Sequence, residues 1–193
     1  MKLLEDKILK DATVGAGGVL KIDSFLGQRI DTSLASEMAK EWKRRFADAE
    51  ITKIVTIEAS GIGIAAIAAL EFGVPLVYAK KTKNPVFSPD MLTSHVTSYT
   101  HGNTYTVCIP REHITKEDKI LIVDDLLANG SALLALADIC RFGGAAVVGA
   151  GIAVEKAYLS GGRNIRARGL RVAALARIAS IGDNGDISFA DEV

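Results

Sequence analysis

Cysteine, proline, histidine and aromatic residues are all scarce in this sequence of 193 residues, and no long apolar run is present. There are two cysteines, no Cys-x-x-Cys pair, and three histidines without the spacing of a zinc site. We expect both thiols, Cys108 and Cys140, to be buried and reduced. The apolar runs are too short for a membrane span of ~20 residues, and the N-terminal residues lack the apolar core of a signal peptide. These absences predict a soluble cytoplasmic protein.

An excess of charge of one sign is also missing, because 23 lysines and arginines balance 23 aspartates and glutamates. A general nucleic-acid or membrane-surface binder would carry a basic excess, so neither class is favoured. Hydrophobic residues make up 49% of the chain and charged residues 24%, which is a globular mixture and excludes a disordered chain. The length and composition predict one domain over residues 1–193.

Apolar segments typical of strands alternate with segments of helical spacing. The predicted strands cover residues 19–22, 53–57, 75–79, 119–124, 145–154 and 171–176. The predicted helices cover residues 1–10, 31–47, 62–72, 131–142 and 164–168. A polar mobile loop at 80–90 and a hairpin across 92–109 lie between them. This alternation indicates an α/β fold, with a mostly parallel sheet flanked by helices and ligands bound at the carboxyl ends of its strands.

The most informative segment begins where the strand predicted at 119–124 ends in Asp124 and Asp125. Small residues and a helix follow, so the backbone N–H groups of Ala128–Ser131 would point into one space. The helix dipole and the Ser131 hydroxyl favour an anion there. Two carboxylates beside a phosphate would repel it, unless they hold sugar hydroxyls or a hydrated magnesium ion. The segment therefore predicts a site for a phosphorylated sugar.

This segment resembles the phosphoribosyl-diphosphate-binding motif of the type I phosphoribosyltransferases, in which apolar residues precede two acids, two further apolar residues and Ala-Thr-Gly. Asn129 replaces the usual threonine. The resemblance extends over most of the chain. It is carried by the stretches VLKIDSFLGQRID, ITKIVTIEASGI, LTSHVTSYT, DDLLANG and IAVEKAY. In this order they are similar to the bacterial family of xanthine phosphoribosyltransferases.

The resemblance implies a glycosyltransferase (pentosyltransferase) of purine salvage. It would transfer the phosphoribosyl group of 5-phospho-α-D-ribose 1-diphosphate to xanthine, giving xanthosine 5′-monophosphate and pyrophosphate. It also implies Mg²⁺ bound with the diphosphate substrate, small-molecule substrates rather than nucleic acid or membrane, and a homodimer. The implied fold has a small hood around residues 1–30 with the C-terminal segment, and a loop at 83–99 that closes over the reaction.

The resemblance also assigns roles to individual residues. Asp124 and Asp125 would position the ribose and stabilise positive charge that develops on it. The 5′-phosphate would lie on Ala128, Asn129, Gly130, Ser131 and Ala132. Pyrophosphate would be held by Glu58, Ala59, Ser60 and Gly61, together with Lys80 and Lys81. No side chain is expected to bind magnesium directly, because the substrate would mainly hold it.

The purine base would lie between Lys156 and the hood. Lys156 would donate to the exocyclic oxygen at position 6, which favours oxopurines over adenine. Leu20, Phe25 and Gly27 would line the hood. Since Gly27 offers no side-chain hydrogen bond to the oxygen at position 2, guanine or hypoxanthine is an alternative to xanthine.

Two other functions match parts of the sequence. Residues 61–66 match the G-x-G-x-x-A of dinucleotide-binding folds, but this function leaves the acid pair unused. The second alternative is a non-catalytic sensor of phosphoribosyl diphosphate. Repressors of that kind add an N-terminal DNA-binding domain, whereas the residues before 53 match the hood and helix of the enzyme.

Overall fold

The computed structural model describes residues 1–15, 19–82, 89–97, 104–182 and 184–191. The strands are β1 (Thr13–Gly15), β2 (Val19–Lys21), β3 (Lys53–Ile57), β4 (Leu76–Thr82), β5 (Met91–Thr97), β6 (Thr104–Pro110), β7 (Lys119–Leu127), β8 (Ala146–Lys156), β9 (Val172–Ile181) and β10 (Ile187–Phe189). The helices are α1 (Lys2–Asp11), α2 (Thr32–Arg45), α3 (Ser60–Phe72), α4 (Ser131–Phe142) and α5 (Gly161–Ala167). A short 3₁₀ turn covers Arg111–His113.

Within the described ranges, eight strands form one mixed sheet in the order β10-β9-β8-β7-β3-β4-β6-β5, and β1 pairs with β2 in a separate ribbon. The central strands β9, β8, β7, β3 and β4 are parallel, while β10, β6 and β5 add antiparallel pairs at the two edges. The predicted α/β fold with a mostly parallel sheet is confirmed. The two strands of the predicted hairpin are present, but its turn at 100–103 and residues 83–88 of the predicted loop lie outside the described residues.

The core lies on both faces of the sheet. In β7, Ile120 and Ile122 pack with α4, while Leu121 and Val123 pack on the other face with α2 and α3. All four side chains are fully buried, which explains why this strand is apolar throughout. We refer to the two sides as the α4 face and the α3 face.

Helix α2 begins as predicted, because the Asp31 carboxylate accepts a hydrogen bond of 3.1 Å from the Leu34 N–H. Its buried side includes Met38 and Trp42, and the Trp42 indole N–H donates to the Ala173 carbonyl in β9 at 3.2 Å. This bond ties the helix to the sheet.

The helical spacing of residues 1–10 predicts one apolar face of Leu3, Leu4, Ile8 and Leu9 on α1, and only part of this face is buried. Leu4 and Ile8 are buried, whereas Leu3 and Leu9 are 51% and 56% exposed. Adjacent residues are 100° apart around a helix. A helix that contacts the core along one side therefore buries Leu4 and Ile8, which are four residues apart, and leaves their neighbours Leu3 and Leu9 exposed. The predicted four-residue apolar face is therefore wrong.

Several elements extend further than predicted. Strand β4 continues through Lys80 and Lys81, because both pair with β6. Strand β7 continues through Asp125 to Leu127, and β8 continues to Lys156. The predicted loops at 80–90 and 125–130 therefore begin too early. Helix α3 begins at Ser60, so the predicted loop 58–61 is reduced to a two-residue turn. Strands β1 and β10 were not predicted.

The two thiols lie in different surroundings. Cys140 is buried in α4, and burial raises the pKa of its thiol to about 12. Cys108 is only half-buried in β6, so the expectation that both are buried is wrong for Cys108. None of the helices in the described residues has the length and apolarity to span a membrane.

Candidate active site

The loop that follows β7 lines a small cavity next to the acid pair. This cavity has a volume of about 160 Å³ and is lined by Tyr105, Asp124, Leu126, Leu127, Ala128, Asn129, Gly130, Ser131, Ala132, Leu133 and Ile152. Helix α4 begins at its base, and Gly130 has a φ of +81°, which favours glycine. All five residues predicted to hold the 5′-phosphate therefore lie around one cavity. We call residues 128–132 the phosphate loop.

Asp124 is the buried member of the acid pair. It is 7% exposed, and its Oδ1 accepts a hydrogen bond of 3.0 Å from the Asp125 N–H. Burial raises the pKa of Asp124 well above its usual value, and the neighbouring Asp125 adds to the effect, while Lys81 opposes it. The position therefore favours a cation or a hydrogen-bond donor that would share this charge.

Gly61 packs closely against both Thr56 and Asp124. A Cβ on Gly61 would lie 2.3 Å from Thr56 Oγ1 and 2.9 Å from Asp124 Oδ1, so only glycine fits at this turn of α3. Thr56 Oγ1 is buried and has no hydrogen-bond partner within the described part of the chain. No role of its own was predicted for Thr56, although a polar residue inside the apolar strand β3 was a usable signal.

The turn between β3 and α3 joins the acid pair to β4. The peptide bond between Glu58 and Ala59 is cis. The Glu58 carboxylate accepts a hydrogen bond of 2.6 Å from the Lys81 N–H, which fixes the turn against the neighbouring strand. Ser60 and Gly61 form the first turn of α3 instead of belonging to the loop.

Lys80 and Lys81 lie on opposite faces of the sheet. Lys81 pairs with Val107, which is buried on the α4 face, and it follows the buried Ala79 by two residues. Lys80 pairs with Cys108, and both line a separate groove of about 460 Å³ on the other face. Lys81 is therefore the lysine on the side of the phosphate loop.

Lys156 ends β8 next to a buried ion network. Glu155 is 2% exposed and accepts two hydrogen bonds of 2.7 Å from Arg166 and one of 3.1 Å from Arg177. Burial alone would raise the pKa of Glu155, but the two guanidinium groups outweigh it and lower the pKa. Lys156 is half-buried and burial lowers its pKa; no ion pair to it is found among the described residues.

Helix α5 packs between this network and the phosphate loop. A Cβ on Gly161 would lie 2.0 Å from the Ala128 carbonyl oxygen, and one on Gly162 would lie 1.9 Å from Glu155 Oε1. The Gly161-Gly162 pair therefore lets α5 contact both places closely. Neither glycine was assigned a role from the sequence.

The predicted hood residues lie around the ribbon and the turn after it. Leu20 is 6% exposed in β2, and Phe25 is 1% exposed in the core with Lys7 Nζ 5.9 Å from its ring centroid. A Cβ on Gly27 would lie 2.5 Å from Asp23 Oδ1. This close approach gives a physical reason for glycine at position 27. A base-binding role for these residues stays a prediction.

Comparison with known proteins identifies the family. A model of the phosphoribosyl transferase domain matches residues 29–167. A protein of Ruminiclostridium cellulolyticum named xanthine phosphoribosyltransferase is 49% identical over 191 residues, covering 99% of this chain and 100% of that protein. One of the same name from Bacillus mycoides is 45% identical over 192 residues, covering 100% and 97%.

The chain belongs to the phosphoribosyltransferase family.

Solved structures agree on the fold of this phosphoribosyltransferase. An adenine phosphoribosyltransferase of Rhodothermus marinus superposes with a TM-score of 0.74 at 22% identity, covering 92% of this chain and 99% of that chain. The enzyme of Trypanosoma brucei has a TM-score of 0.76 at 16% identity, covering 94% and 82%. At these identities the likeness concerns the fold alone. The predicted family and the predicted type I fold are confirmed.

The dinucleotide-binding alternative is wrong for this phosphoribosyltransferase. Its glycines, Gly61 and Gly63, lie inside α3, where a Cβ on Gly63 would lie 1.8 Å from Ile30 Cδ1. They serve close packing of the helix. The residues that follow β7 line the cavity instead.

Proposed function

We propose that this phosphoribosyltransferase transfers the phosphoribosyl group of 5-phospho-α-D-ribose 1-diphosphate to xanthine in purine salvage. A ring nitrogen of the base would attack C1 of the ribose, the bond from C1 to the diphosphate oxygen would break, and the base would release a proton. The products would be xanthosine 5′-monophosphate and pyrophosphate. The observation that carries the proposal is the cavity in which a buried acid pair adjoins the phosphate loop.

The phosphate loop would bind the 5′-phosphate. Helix α4 begins at the cavity, so its first backbone N–H groups and the positive end of its dipole lie there. The Ser131 hydroxyl adds a further donor. The left-handed Gly130 lets the chain turn into the helix without a side chain.

Asp124 and Asp125 would accept hydrogen bonds from the ribose hydroxyls. They would also stabilise the positive charge that develops on the sugar ring as the bond to diphosphate lengthens. Burial raises the pKa of Asp124 and so disfavours its ionised form. Hydrogen bonds donated by the ribose hydroxyls would favour the ionised form when the substrate binds.

We propose Mg²⁺ as the cofactor, brought by the diphosphate. Carboxylate oxygens are suitable ligands for it or its waters, so the acid pair fits a hydrated ion. Within the described residues, no group of three or more His, Cys, Asp or Glu side chains could hold a metal ion. The substrate would therefore supply most ligands, and the ion when bound would offset charge on the leaving diphosphate.

Lys81 would meet the diphosphate together with residues 58–61. It lies on the α4 face with the phosphate loop, whereas Lys80 lies on the other face. A lysine is a flexible point charge, suited to a group whose charge grows as it leaves.

Lys156 would bind the base. Its ammonium group would donate to the oxygen at position 6, and Glu155 would hold the strand end in place through Arg166 and Arg177. Xanthine is proposed as the substrate because the relatives of nearly equal length carry that name. We further propose a cytoplasmic homodimer, as the family resemblance implies.

The test measures pyrophosphate release from phosphoribosyl diphosphate and Mg²⁺, with xanthine, guanine, hypoxanthine and adenine supplied separately. We expect the highest kcat/KM with xanthine. Highest turnover with guanine or hypoxanthine would replace the proposed base and keep the chemistry. Binding of phosphoribosyl diphosphate without release with any base would favour the sensor. Asp124→Asn with Asp125→Asn should abolish release, and unchanged turnover would contradict the role of the acids.

A further inference from the structure

Tyr105 is an aromatic side chain of the cavity to which neither the sequence nor the family resemblance gives a role. It lies near the start of β6, in the same row as the buried Val107 and Ile109, and so on the α4 face. It is half-buried and lines the cavity with Asp124 and the phosphate loop.

The Tyr105 ring also contacts the lysine assigned to the diphosphate. Lys81 Nζ lies 5.7 Å from the ring centroid, within the range of a cation–π contact. The register explains this contact, because Val107 pairs directly with Lys81 and Tyr105 is its diagonal neighbour two residues away.

Asp124 completes the group electrostatically. Burial and then the charge of Asp124 raise the pKa of the Tyr105 phenol. The Lys81 ammonium in turn lowers the pKa of Asp124, against the larger effect of burial. Tyr105 therefore lies within electrostatic range of the acid pair while its ring contacts Lys81.

We propose that Tyr105 is a positioning residue whose ring keeps the Lys81 ammonium group beside Asp124, where it meets the diphosphate of the substrate. This inference rests on the proposed function. Lysine has a flexible four-carbon stem, and a ring face that restrains it preorganises the charge before the substrate binds. The contact needs the aromatic face and not the phenolic hydroxyl.

The test compares Tyr105→Leu, Tyr105→Met and Tyr105→Phe by steady-state kinetics. The first two remove the ring and should raise the KM for phosphoribosyl diphosphate by about 3- to 10-fold, with the KM for the purine changed by less than about 2-fold. Tyr105→Phe should restore the low KM. The matched control is Tyr78→Leu, which removes an exposed tyrosine on the other face of the sheet.

A double-mutant cycle separates positioning from packing. In a Lys81→Gln background, Tyr105→Leu should cause no further rise in the KM for phosphoribosyl diphosphate. Thermal unfolding of every variant checks the fold, and Tyr105→Met replaces Tyr105→Leu if the latter does not fold.

The outcomes distinguish the two proposals. A raised KM in Lys81→Gln with an unchanged KM in both ring-deleted variants would overturn the role of Tyr105 alone. An additive effect in the double mutant would also overturn it. No transfer by the wild-type protein with any purine would overturn the proposed function and, with it, this inference.

Discussion

At the scale of single residues, the buried carboxyl group of Asp124 serves the candidate site but lowers the stability of the fold when it is ionised. The carboxyl group is buried beside Asp125 and lies close to the backbone of Gly61. Its pKa in the folded protein is therefore above the unfolded value of 3.8. A raised carboxyl pKa means that the fold prefers the protonated acid, so ionisation costs stability as the pH rises through this interval.

We predict that Asp124→Asn raises the melting temperature at pH 7 while lowering turnover by at least about 100-fold. The amide keeps the shape and removes a buried negative charge. The difference in melting temperature should disappear below the unfolded pKa of 3.8, because the acid is then neutral in both states. Calorimetry at both pH values provides the measurement. The control is Asp138→Asn on the exposed side of α4. Equal melting temperatures at pH 7 would contradict the prediction.

At the scale of elements, the Glu155 network joins β8, α5 and β9. The acid lies beneath both arginines, which are 20% and 14% exposed, and it accepts three hydrogen bonds from them. Removing one partner of a buried pair leaves the others uncompensated, which costs more than the pair contributes.

We predict that Glu155→Gln lowers the free energy of unfolding by about 3–5 kcal/mol at pH 7. The folded pKa of Glu155 is lowered, so its contribution is complete above the unfolded value of 4.5 and is lost as the pH falls through the folded value. The difference in the free energy of unfolding between the wild-type protein and the variant should therefore become smaller at acidic pH. Urea unfolding across this range tests it, with the exposed Glu112→Gln as the control. A gap independent of pH would argue against the ion network.

The start of α5 packs closely against the phosphate loop. Gly161→Ala places a methyl group against the Ala128 carbonyl oxygen, which belongs to backbone and cannot rotate away. We expect the phosphate loop to shift and the KM for phosphoribosyl diphosphate to rise by about 10-fold or more, because misplaced contacts weaken substrate positioning. Arg163→Ala, an exposed change in the same helix, should leave this KM unchanged. Equal kinetics for both variants would mean that α5 does not support the loop.

The sequence predicted elements best where burial alone decides them. Strand β3 and helix α4 have the predicted bounds: four of the five residues of β3 are buried, and α4 has buried positions at helical spacing and ends at Gly143. The ends of β4, β7 and β8 were missed. There the ladder continues through charged residues such as Lys81 and Glu155, and pairing with a neighbouring strand is not visible in local composition.

In the candidate site, too, some residues could be predicted from the sequence and others could not. Asp124 and the phosphate loop form one continuous segment, so a sequence pattern could identify them. Tyr105 lines the same cavity from β6, and Gly61 of α3 lies close to Asp124, through contacts between residues far apart in the chain. No spacing in the sequence encodes that proximity. The opposite orientation of Lys80 and Lys81 likewise depends on the register with β6.

At the scale of the whole molecule, the charges cancel and the calculated isoelectric point is about 6.8. Molecules without net charge repel one another weakly. We predict that the second virial coefficient from light scattering is lowest near this pH and rises toward pH 8.5. A stable homodimer would change the mass but not create such a minimum. A coefficient independent of pH would contradict the prediction.

Trp42 is the only tryptophan of the chain, and it is buried where α2 meets β9. Its fluorescence therefore reports one event, the separation of that helix from the sheet. Gly151 in β8 also packs on the indole ring, so the probe lies within the core and not at the phosphate loop. Emission should change sharply on unfolding and very little on titration with substrate. Trp42 is therefore an intrinsic fluorescent probe of folding that responds very little to ligand binding.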